Sequence, residues 1–266
     1  MLKSATLALF LLFILGCAGT APLSSPMSSS EKSFFTDIDG CFLLYNMKTG
    51  SFDKVINEQL CQERLPACST FKVPLALMAF DAKILKDQNT KLKGKEHTAQ
   101  TWMRESVVWY SQQITPKLGR KKLQKYLNDF NYGNRDLSAG ITQAWLEAPD
   151  KKSALKISAY EQVDFMKALW LNKLPVSNQA MQLTRELTYL ETSLQGFKLN
   201  GKTGSNFYDK EHKVHLGWFI AHLQKDDQEY IAITNLRDLA PNKVGNYGGP
   251  RAKALTKEIL TAQGLW

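Results

Sequence analysis

The sequence predicts an α+β fold, in which an antiparallel β-sheet is flanked by terminal helices and carries an inserted all-helical region. Apolar, β-prone segments lie near both ends of the chain, at residues 40–46 and 201–235, and helical patterns fill the residues between them. The last apolar segment follows Gly249-Pro250, and proline is well tolerated in the first turn of a helix. Together these segments indicate one sheet that is covered by the terminal helix.

The first elements are predicted to be a hairpin and a helix. A β-prone strand at 40–46 and a turn at 48–50 lead into a second strand that runs toward Cys61. Residues 69–85 form an apolar helix with Pro74 in its first turn. The other predicted elements are helices at 101–118, 119–130, 158–170 and 251–260, a loop at 141–153, and strands at 201–223 and 230–235.

The N-terminus has the features of an export signal. Lys3 precedes an apolar run at 5–15 that is too short to span a bilayer comfortably. Cys17 follows Ile-Leu-Gly, which resembles a bacterial lipobox and would make Cys17 a lipidated N-terminus. Ordinary cleavage nearby, without a lipid, is the alternative. We predict a signal at 1–17, a flexible tether at 18–33 and a single domain at 34–266, located in the periplasm either in solution or through a lipid anchor.

The charge pattern argues against nucleic-acid binding, and the histidines argue against a metal site. The 266 residues carry a formal net charge of +9, but the lysines are scattered and form no arginine-rich run. A solvated basic surface is therefore favoured over nucleic-acid binding. His212 and His215 lie in a predicted strand, where residues three apart point to opposite faces, so no metal site is expected. The oligomeric state is not defined by the sequence.

Three cysteines lie beyond the signal. Cys41 and Cys61 flank the predicted hairpin, and in an oxidising compartment they would form a disulfide. Cys68 would then be a buried thiol that packs behind the start of the first helix. Three unpaired thiols are the alternative.

The stretch GFKLNGKTG, at 196–204, matches the pattern of a phosphate-binding P-loop. A P-loop follows a buried strand and opens a helix, but here the preceding residues are too polar and the following ones alternate like strands. We therefore attribute the match to chance and place Lys202-Thr203-Gly204 on a strand. There Lys202 presents a cation to a cleft, and Gly204 permits close approach of a ligand or another backbone.

Ser69 is the candidate nucleophile. It lies at the start of an apolar helix, where free backbone N–H groups favour developing negative charge. Lys72 is one turn further along the same face. A serine hydroxyl needs a base to take its proton, and a lysine serves only if its surroundings or its chemistry are altered.

Further motifs follow this pair in a definite order. They are Ser106-Val107-Val108, Tyr132-Gly133-Asn134, Trp145-Leu146-Glu147, Lys202-Thr203-Gly204 and Gly217-Trp218-Phe219. With Ser69-Thr70-Phe71-Lys72, this ordered set resembles the class D, or oxacillinase-type, serine β-lactamases, and the resemblance extends from residue 40 to the C-terminus. It implies the serine β-lactamase and penicillin-binding transpeptidase fold, with a β-lactam as the small-molecule substrate.

The resemblance also implies roles for the residues around the nucleophile. Ser69 would be acylated, and Lys72 would be carboxylated by CO₂ to give a carbamate base. Val108 would form an apolar wall over the carbamate, and the indole N–H of Trp145 would stabilise it. Ser106 would relay a proton to the leaving nitrogen. No cofactor is implied apart from the CO₂ or bicarbonate that modifies Lys72.

The remaining roles concern substrate binding. Lys202 and Thr203 would hold the substrate carboxylate, and the backbone N–H groups of Ser69 and Ser205 would form the oxyanion hole. Arg251 would grip the same carboxylate, with Arg237 as the competing candidate. Glu147 is interpreted as structural.

Two other functions stay open at this level. A penicillin-binding transpeptidase or sensor domain would be acylated on the same serine without turnover. An envelope protein that binds peptidoglycan through its basic charge would form no adduct with a β-lactam.

Overall fold

A computed structural model of the chain describes residues 34–36, 38–92, 96–146, 154–209, 214–238 and 248–266. The predicted signal with Cys17, the tether, Glu147 and His212 lie outside the described residues, so the signal, the lipid anchor and the periplasmic location stay predictions. Within the described ranges, every helix is too short or too polar to cross a membrane.

One large sheet and one small ladder contain all the strands of the described residues. In chain order the strands are β1 (Ile38–Asn46), β2 (Ser51–Ile56), β3 (Leu65–Pro66), β4 (Lys156–Ile157), β5 (Tyr189–Thr192), β6 (Lys198–Asp209), β7 (Val214–Lys225) and β8 (Gln228–Asp238). The large sheet has six antiparallel strands in the spatial order β2-β1-β8-β7-β6-β5. β3 and β4 pair separately. In the large sheet β1 pairs with β8, so the first and last strands of the chain are neighbours.

Seven helices are described around this sheet. They are α1 (Glu58–Gln62), α2 (Lys72–Asp81), α3 (Ala99–Glu105), α4 (Val108–Asp129), α5 (Ala159–Trp170), α6 (Asn178–Leu187) and α7 (Gly249–Ala262). A 3₁₀ turn, Cys68–Phe71, leads directly into α2.

The two faces of the sheet bury different helices, because side chains alternate along each strand. On β8, Ile231 and Ile233 belong to the apolar core shared with the inserted helices, whereas Ala232 and Leu236 pack in the core beneath α7. The predicted α+β fold, with helices inserted on one face and the terminal helix on the other, is confirmed.

The predicted helix at 101–118 is wrong as a single element. Ser106 has left-handed backbone angles (φ 60°, ψ 35°) and ends α3, and α4 begins two residues later. Within α4, Gly119 has non-helical backbone angles (φ 74°, ψ 158°) and separates two helical segments, so the boundary predicted between residues 118 and 119 is confirmed. Apolar periodicity persists across Ser106, so it could not reveal that this residue leaves the helix.

Other boundaries also differ from the prediction. The helix predicted at 69–85 is a 3₁₀ turn followed by the shorter α2, and the strand predicted to run toward Cys61 ends at Ile56. Cys61 instead lies in α1, and it forms a disulfide with Cys41 across Cα atoms 5.2 Å apart. The elements α6 and β5 were not predicted. β5 is a four-residue edge strand, YLET, whose side chains are largely exposed, so it lacks the apolar pattern of a central strand.

Candidate active site

The serine and lysine of the first motif are in direct contact. Ser69 lies in the 3₁₀ turn and Lys72 is the first residue of α2, and the Lys72 Nζ donates a hydrogen bond to the Ser69 Oγ at 3.1 Å. Ser69 is partly exposed, whereas Lys72 is fully buried. The arrangement therefore presents a hydroxyl to solvent with an amine held behind it.

Two hydrogen bonds to the carbonyl of Pro66, two residues before the turn, fix the backbone that carries Ser69. The Trp218 indole donates to the Pro66 carbonyl at 3.0 Å, and the Cys68 Sγ donates to the same oxygen at 3.3 Å. Cys68 itself has a left-handed backbone (φ 51°). Non-glycine residues in this region cost about 1–3 kcal/mol each and gather at functional sites. The strained residue here is the one next to Ser69.

Burial changes the chemistry of Lys72. Desolvation lowers the pKa of its amine to about 8. At neutral pH the neutral fraction is then about 300-fold larger than for a lysine of pKa 10.5, because each pKa unit is a factor of ten. A neutral amine can accept a proton or react with CO₂, and an ammonium group can do neither.

A second serine–lysine pair lies next to the first. The Lys202 Nζ donates to the Ser106 Oγ at 3.1 Å and to its neighbour's carbonyl, that of Thr203, at 2.9 Å. Burial, and then the charge of Lys72, lower the pKa of Lys202 to about 7. Two buried lysines that repel each other in this way would both be stabilised by an anion.

The open edge of β6 faces this cluster. The Gly201 N–H donates to the Thr188 carbonyl at 2.7 Å, on the side away from β7. Since N–H groups alternate along a strand, those of Thr203 and Ser205 point toward the same edge. A Cβ on Gly204 would lie 3.3 Å from the Ser69 nitrogen, so β6 passes directly beside the nucleophile's turn. The backbone of Ser69 therefore lies beside β6 near Gly204, and the oxyanion hole formed by the N–H groups of Ser69 and Ser205 stays a prediction.

Trp145 provides a buried donor without an acceptor. Its ring packs against Phe71, with centroids 4.9 Å apart, and the side chain is fully buried. Within the described residues, its indole Nε1 has no hydrogen-bond partner. Leaving a buried donor unsatisfied costs about 1–3 kcal/mol. The site therefore fits an additional acceptor group, and Lys72, which follows Phe71 in the chain, is where a carbamate would supply one.

Val108 is placed at the first turn of α4, two residues after Ser106. Its side chain is 38% exposed, so it is not part of the apolar core. This position is compatible with a wall of the cleft, and the role of Val108 stays a prediction.

The two candidate arginines lie on opposite faces of the sheet. Arg251, in the first turn of α7, pairs with the buried Asp238 (Nη1–Oδ2, 2.5 Å), whereas Arg237 pairs with Glu63 on the other side (Nη1–Oε2, 3.1 Å). The start of α7 is joined to the site strand, because the Gly249 N–H donates to the Ser205 Oγ at 2.8 Å. This geometry favours Arg251 as the residue nearer the cleft.

Sequence reasoning missed one supporting network. The Gln162 side chain, buried on α5, donates to the Thr70 Oγ1 at 3.0 Å, and Thr70 donates to the Ala67 carbonyl at 2.5 Å. The network holds the turn of Ser69 from behind. The available signal was the position of Gln162 between the buried Ala159 and Met166, on the apolar face of the helix.

Comparison with known proteins agrees with this description. The family model of the penicillin binding protein transpeptidase domain matches residues 40–261. The β-lactamase OXA-1 of Escherichia coli is 38% identical over 247 residues, covering 86% of this chain and 87% of that protein. The probable β-lactamase YbxI of Bacillus subtilis (strain 168) is 31% identical over 243 residues, covering 87% of this chain and 83% of that protein.

Solved structures give the same result. The class D β-lactamase BAT-2 superimposes with a TM-score of 0.76 at 31% identity, covering 89% of this chain and 96% of that one. The sheet and inserted helices define the penicillin-binding transpeptidase class of fold. Within that class, the chain belongs to the class D β-lactamases, which confirms the resemblance drawn from the motifs.

Proposed function

We propose that this chain hydrolyses the β-lactam amide of penicillin-type antibiotics through an acyl-serine intermediate, and that carboxylated Lys72 activates the hydrolytic water. The observation that carries the proposal is the contact of Ser69 with a buried, largely desolvated lysine. It is supported by Trp145, which packs on Phe71, the neighbour of Lys72 in the chain, and whose indole N–H has no acceptor in the described residues. The OXA-1, YbxI and BAT-2 relatives are named as β-lactamases, which supports the same substrate class.

The first step forms the ester. The Ser69 Oγ attacks the lactam carbonyl while Lys72, in its carboxylated form, accepts the hydroxyl proton. The backbone N–H groups of Ser69 and Ser205 stabilise the oxyanion. As the lactam C–N bond breaks, Ser106 gives its proton to the nitrogen, and Lys202, 3.1 Å from the Ser106 Oγ, favours the transient alkoxide. The proton that carboxylated Lys72 took from Ser69 then passes to Ser106, which restores both the hydroxyl and the base.

The second step releases the product. A water molecule gives a proton to carboxylated Lys72 and attacks the ester carbonyl, and the same oxyanion donors act again. As the ester C–O bond breaks, the Ser69 oxygen takes this proton from carboxylated Lys72 and leaves as the alcohol. The substrate carboxylate is held by Lys202, Thr203 and the guanidinium of Arg251 throughout, so the ester stays aligned for attack.

Turnover and intact mass of the protein test this proposal together. Purified protein is mixed with a chromogenic β-lactam, with and without added bicarbonate, and Ser69→Ala serves as the control. We expect many turnovers, more with bicarbonate, and neither turnover nor adduct in Ser69→Ala. A single acyl adduct that persists would instead assign a penicillin-binding or sensor role. Absence of both adduct and turnover in the unmodified protein would exclude both functions.

The lowered pKa of Lys72 predicts how the bicarbonate requirement depends on pH. Only the neutral amine reacts with CO₂, and protonation competes below a pKa of about 8. Carboxylation of the protonated amine releases two protons, one from the ammonium group and one as the carbamate ionises. As the pH falls, the concentration of dissolved CO₂ that gives half-maximal rate is therefore expected to rise about tenfold per unit above this pKa and about a hundredfold per unit below it. Initial rates over a matrix of pH and dissolved CO₂ measure it. A half-maximal concentration that does not change with pH would show that no amine of this pKa is being modified.

A further inference from the structure

We propose that a cavity beside Lys202 and Thr203 binds an apolar, aryl-type substituent carried on the substrate next to its carboxylate, such as the C3 substituent of a cephalosporin. The inference rests on the proposed function and adds a specificity site to it. The cavity has a volume of about 260 Å³, and Lys202 and Thr203 line it together with Gly201. The residues proposed to hold the substrate carboxylate therefore also form one wall of the cavity.

The cavity exists because β6 loses its neighbour at this point. β5 pairs with β6 only as far as Tyr189 opposite Asn200, and the last contact is the Gly201 N–H to the Thr188 carbonyl. The residues before Thr188 belong to α6, so they do not extend the strand. The edge of β6 from Lys202 onward thus faces a gap bounded by α3, the junction of α6 with β5, and α7.

Four apolar side chains contribute to the lining of the gap. They are Met103, Leu187, Leu190 and Phe219. A Cβ on Gly201 would lie 2.9 Å from the Phe219 ring, so the glycine is what lets that ring lie against the strand edge. An apolar cavity of about 150 Å³ is large enough to bind benzene, so this one can hold an aryl group.

Charge argues for an apolar occupant over a second anion. Arg104 and Lys253 also line the cavity, but each is already paired with a carboxylate. The Arg104 Nη2 lies 2.8 Å from Glu105 Oε1, and the Lys253 Nζ lies 2.7 Å from Glu191 Oε1. Lys202 is directed to Ser106 and the Thr203 carbonyl. Arg104 and Lys253 are therefore paired, and Lys202 faces the substrate carboxylate, so burial of apolar surface is the interaction that the rest of the cavity offers.

The order of residues along β6 determines which substituent reaches the cavity. Ser205 lies at the oxyanion end, and Thr203 is two residues, about 7 Å, further along the strand. Gly201 and the cavity lie beyond Thr203. A group attached next to the carboxylate therefore extends away from Ser69 into the cavity. The acylamino side chain, on the other side of the lactam carbonyl, extends in the opposite direction and does not enter it.

Two cephalosporins with the same acylamino side chain test this inference. One carries a styryl group at C3 and the other a methyl group, and benzylpenicillin is the reference substrate. We expect the unmodified protein to show a KM about tenfold lower for the styryl compound, because the aryl group is buried. In Leu190→Trp, which fills the cavity, that advantage is expected to disappear while the kinetics of the methyl compound and of benzylpenicillin are unchanged.

Two further variants make the test decisive. Leu194→Trp is the matched control, because Leu194 is fully exposed on the turn after β5 and outside the cavity. It should leave all three substrates unchanged. Tyr189→Ala removes a half-exposed side chain that lines the cavity, and a smaller loss confined to the styryl compound is expected if Leu190→Trp does not fold. Equal KM values for the two cephalosporins in the unmodified protein, or equal losses in the variants, would overturn the cavity inference alone. Absence of hydrolysis and adduct with all three compounds would overturn the proposed function as well.

Discussion

Replacing Lys72 by alanine is expected to lower turnover by roughly 10²- to 10⁴-fold, the range in which a positioned general base contributes. Ser69 keeps its hydroxyl and its backbone donors in this variant, so slow acylation continues. Hydrolysis of the ester loses its base, and the acyl adduct should accumulate to one equivalent per protein. Intact mass against time, measured beside steady-state rates, checks both expectations.

The stability of Lys72→Ala separates a catalytic loss from a folding defect. A pKa of about 8 instead of 10.5 means that the folded protein pays about 3 kcal/mol to keep this lysine protonated at neutral pH. The effect is destabilising because the pKa is depressed in the folded state, so the unfolded chain holds the proton more tightly than the folded protein does. This destabilisation is complete below pH 8, and it disappears as the pH rises from 8 to 10.5.

Removing the amine therefore abolishes a desolvation penalty at the same time as it leaves a cavity. We expect the melting temperature of Lys72→Ala at neutral pH to stay near that of the unmodified protein, although the side chain is completely buried. Lys173→Ala, at an exposed lysine, is the control and should change neither turnover nor adduct lifetime. Undiminished turnover in Lys72→Ala would contradict the proposed base.

Much of the site could be predicted because its chemistry is carried by residue types at short spacing. Ser69 and Lys72 are one helical turn apart, so their contact follows from local geometry alone. The proximity of Ser106 and Lys202 is different, because 96 residues separate them and only the family order of motifs predicted it. No local pattern specifies which strand edge stays open.

The features that the sequence did not predict are single backbone angles and missing partners. Ser106 leaves the helix at a left-handed angle, although its neighbours keep the apolar periodicity of a helix. The cavity at Gly201 depends on where β5 stops, and β5 itself has too little apolar character to be recognised. No sequence pattern indicates that the Trp145 indole lacks an acceptor among the described residues, because this depends on every polar atom packed around it.

Replacing Trp145 by phenylalanine is expected to make turnover strongly dependent on added bicarbonate. Phenylalanine keeps the aromatic packing against Phe71 but removes the N–H donor. A hydrogen bond to a charged group contributes about 1.5–3 kcal/mol, so the amine of Lys72 should bind CO₂ as a carbamate roughly 10- to 100-fold more weakly. Rates without added bicarbonate should fall by at least about tenfold and recover at saturating bicarbonate. Carbon-13 NMR of protein equilibrated with labelled bicarbonate gives the carbamate signal directly.

The chain offers a matched control for this substitution at a second buried tryptophan. The Trp102 indole already donates to the Ser111 Oγ at 3.0 Å, so Trp102→Phe breaks a completed hydrogen bond. It should reduce stability without altering the bicarbonate concentration that gives half-maximal rate. Trp145→Phe should raise the half-maximal bicarbonate concentration without reducing stability. The protein has no acceptor for that N–H within its described residues, so the substitution breaks no hydrogen bond. If the two variants respond to bicarbonate alike, the indole of Trp145 does not stabilise a carbamate, and its burial serves packing alone.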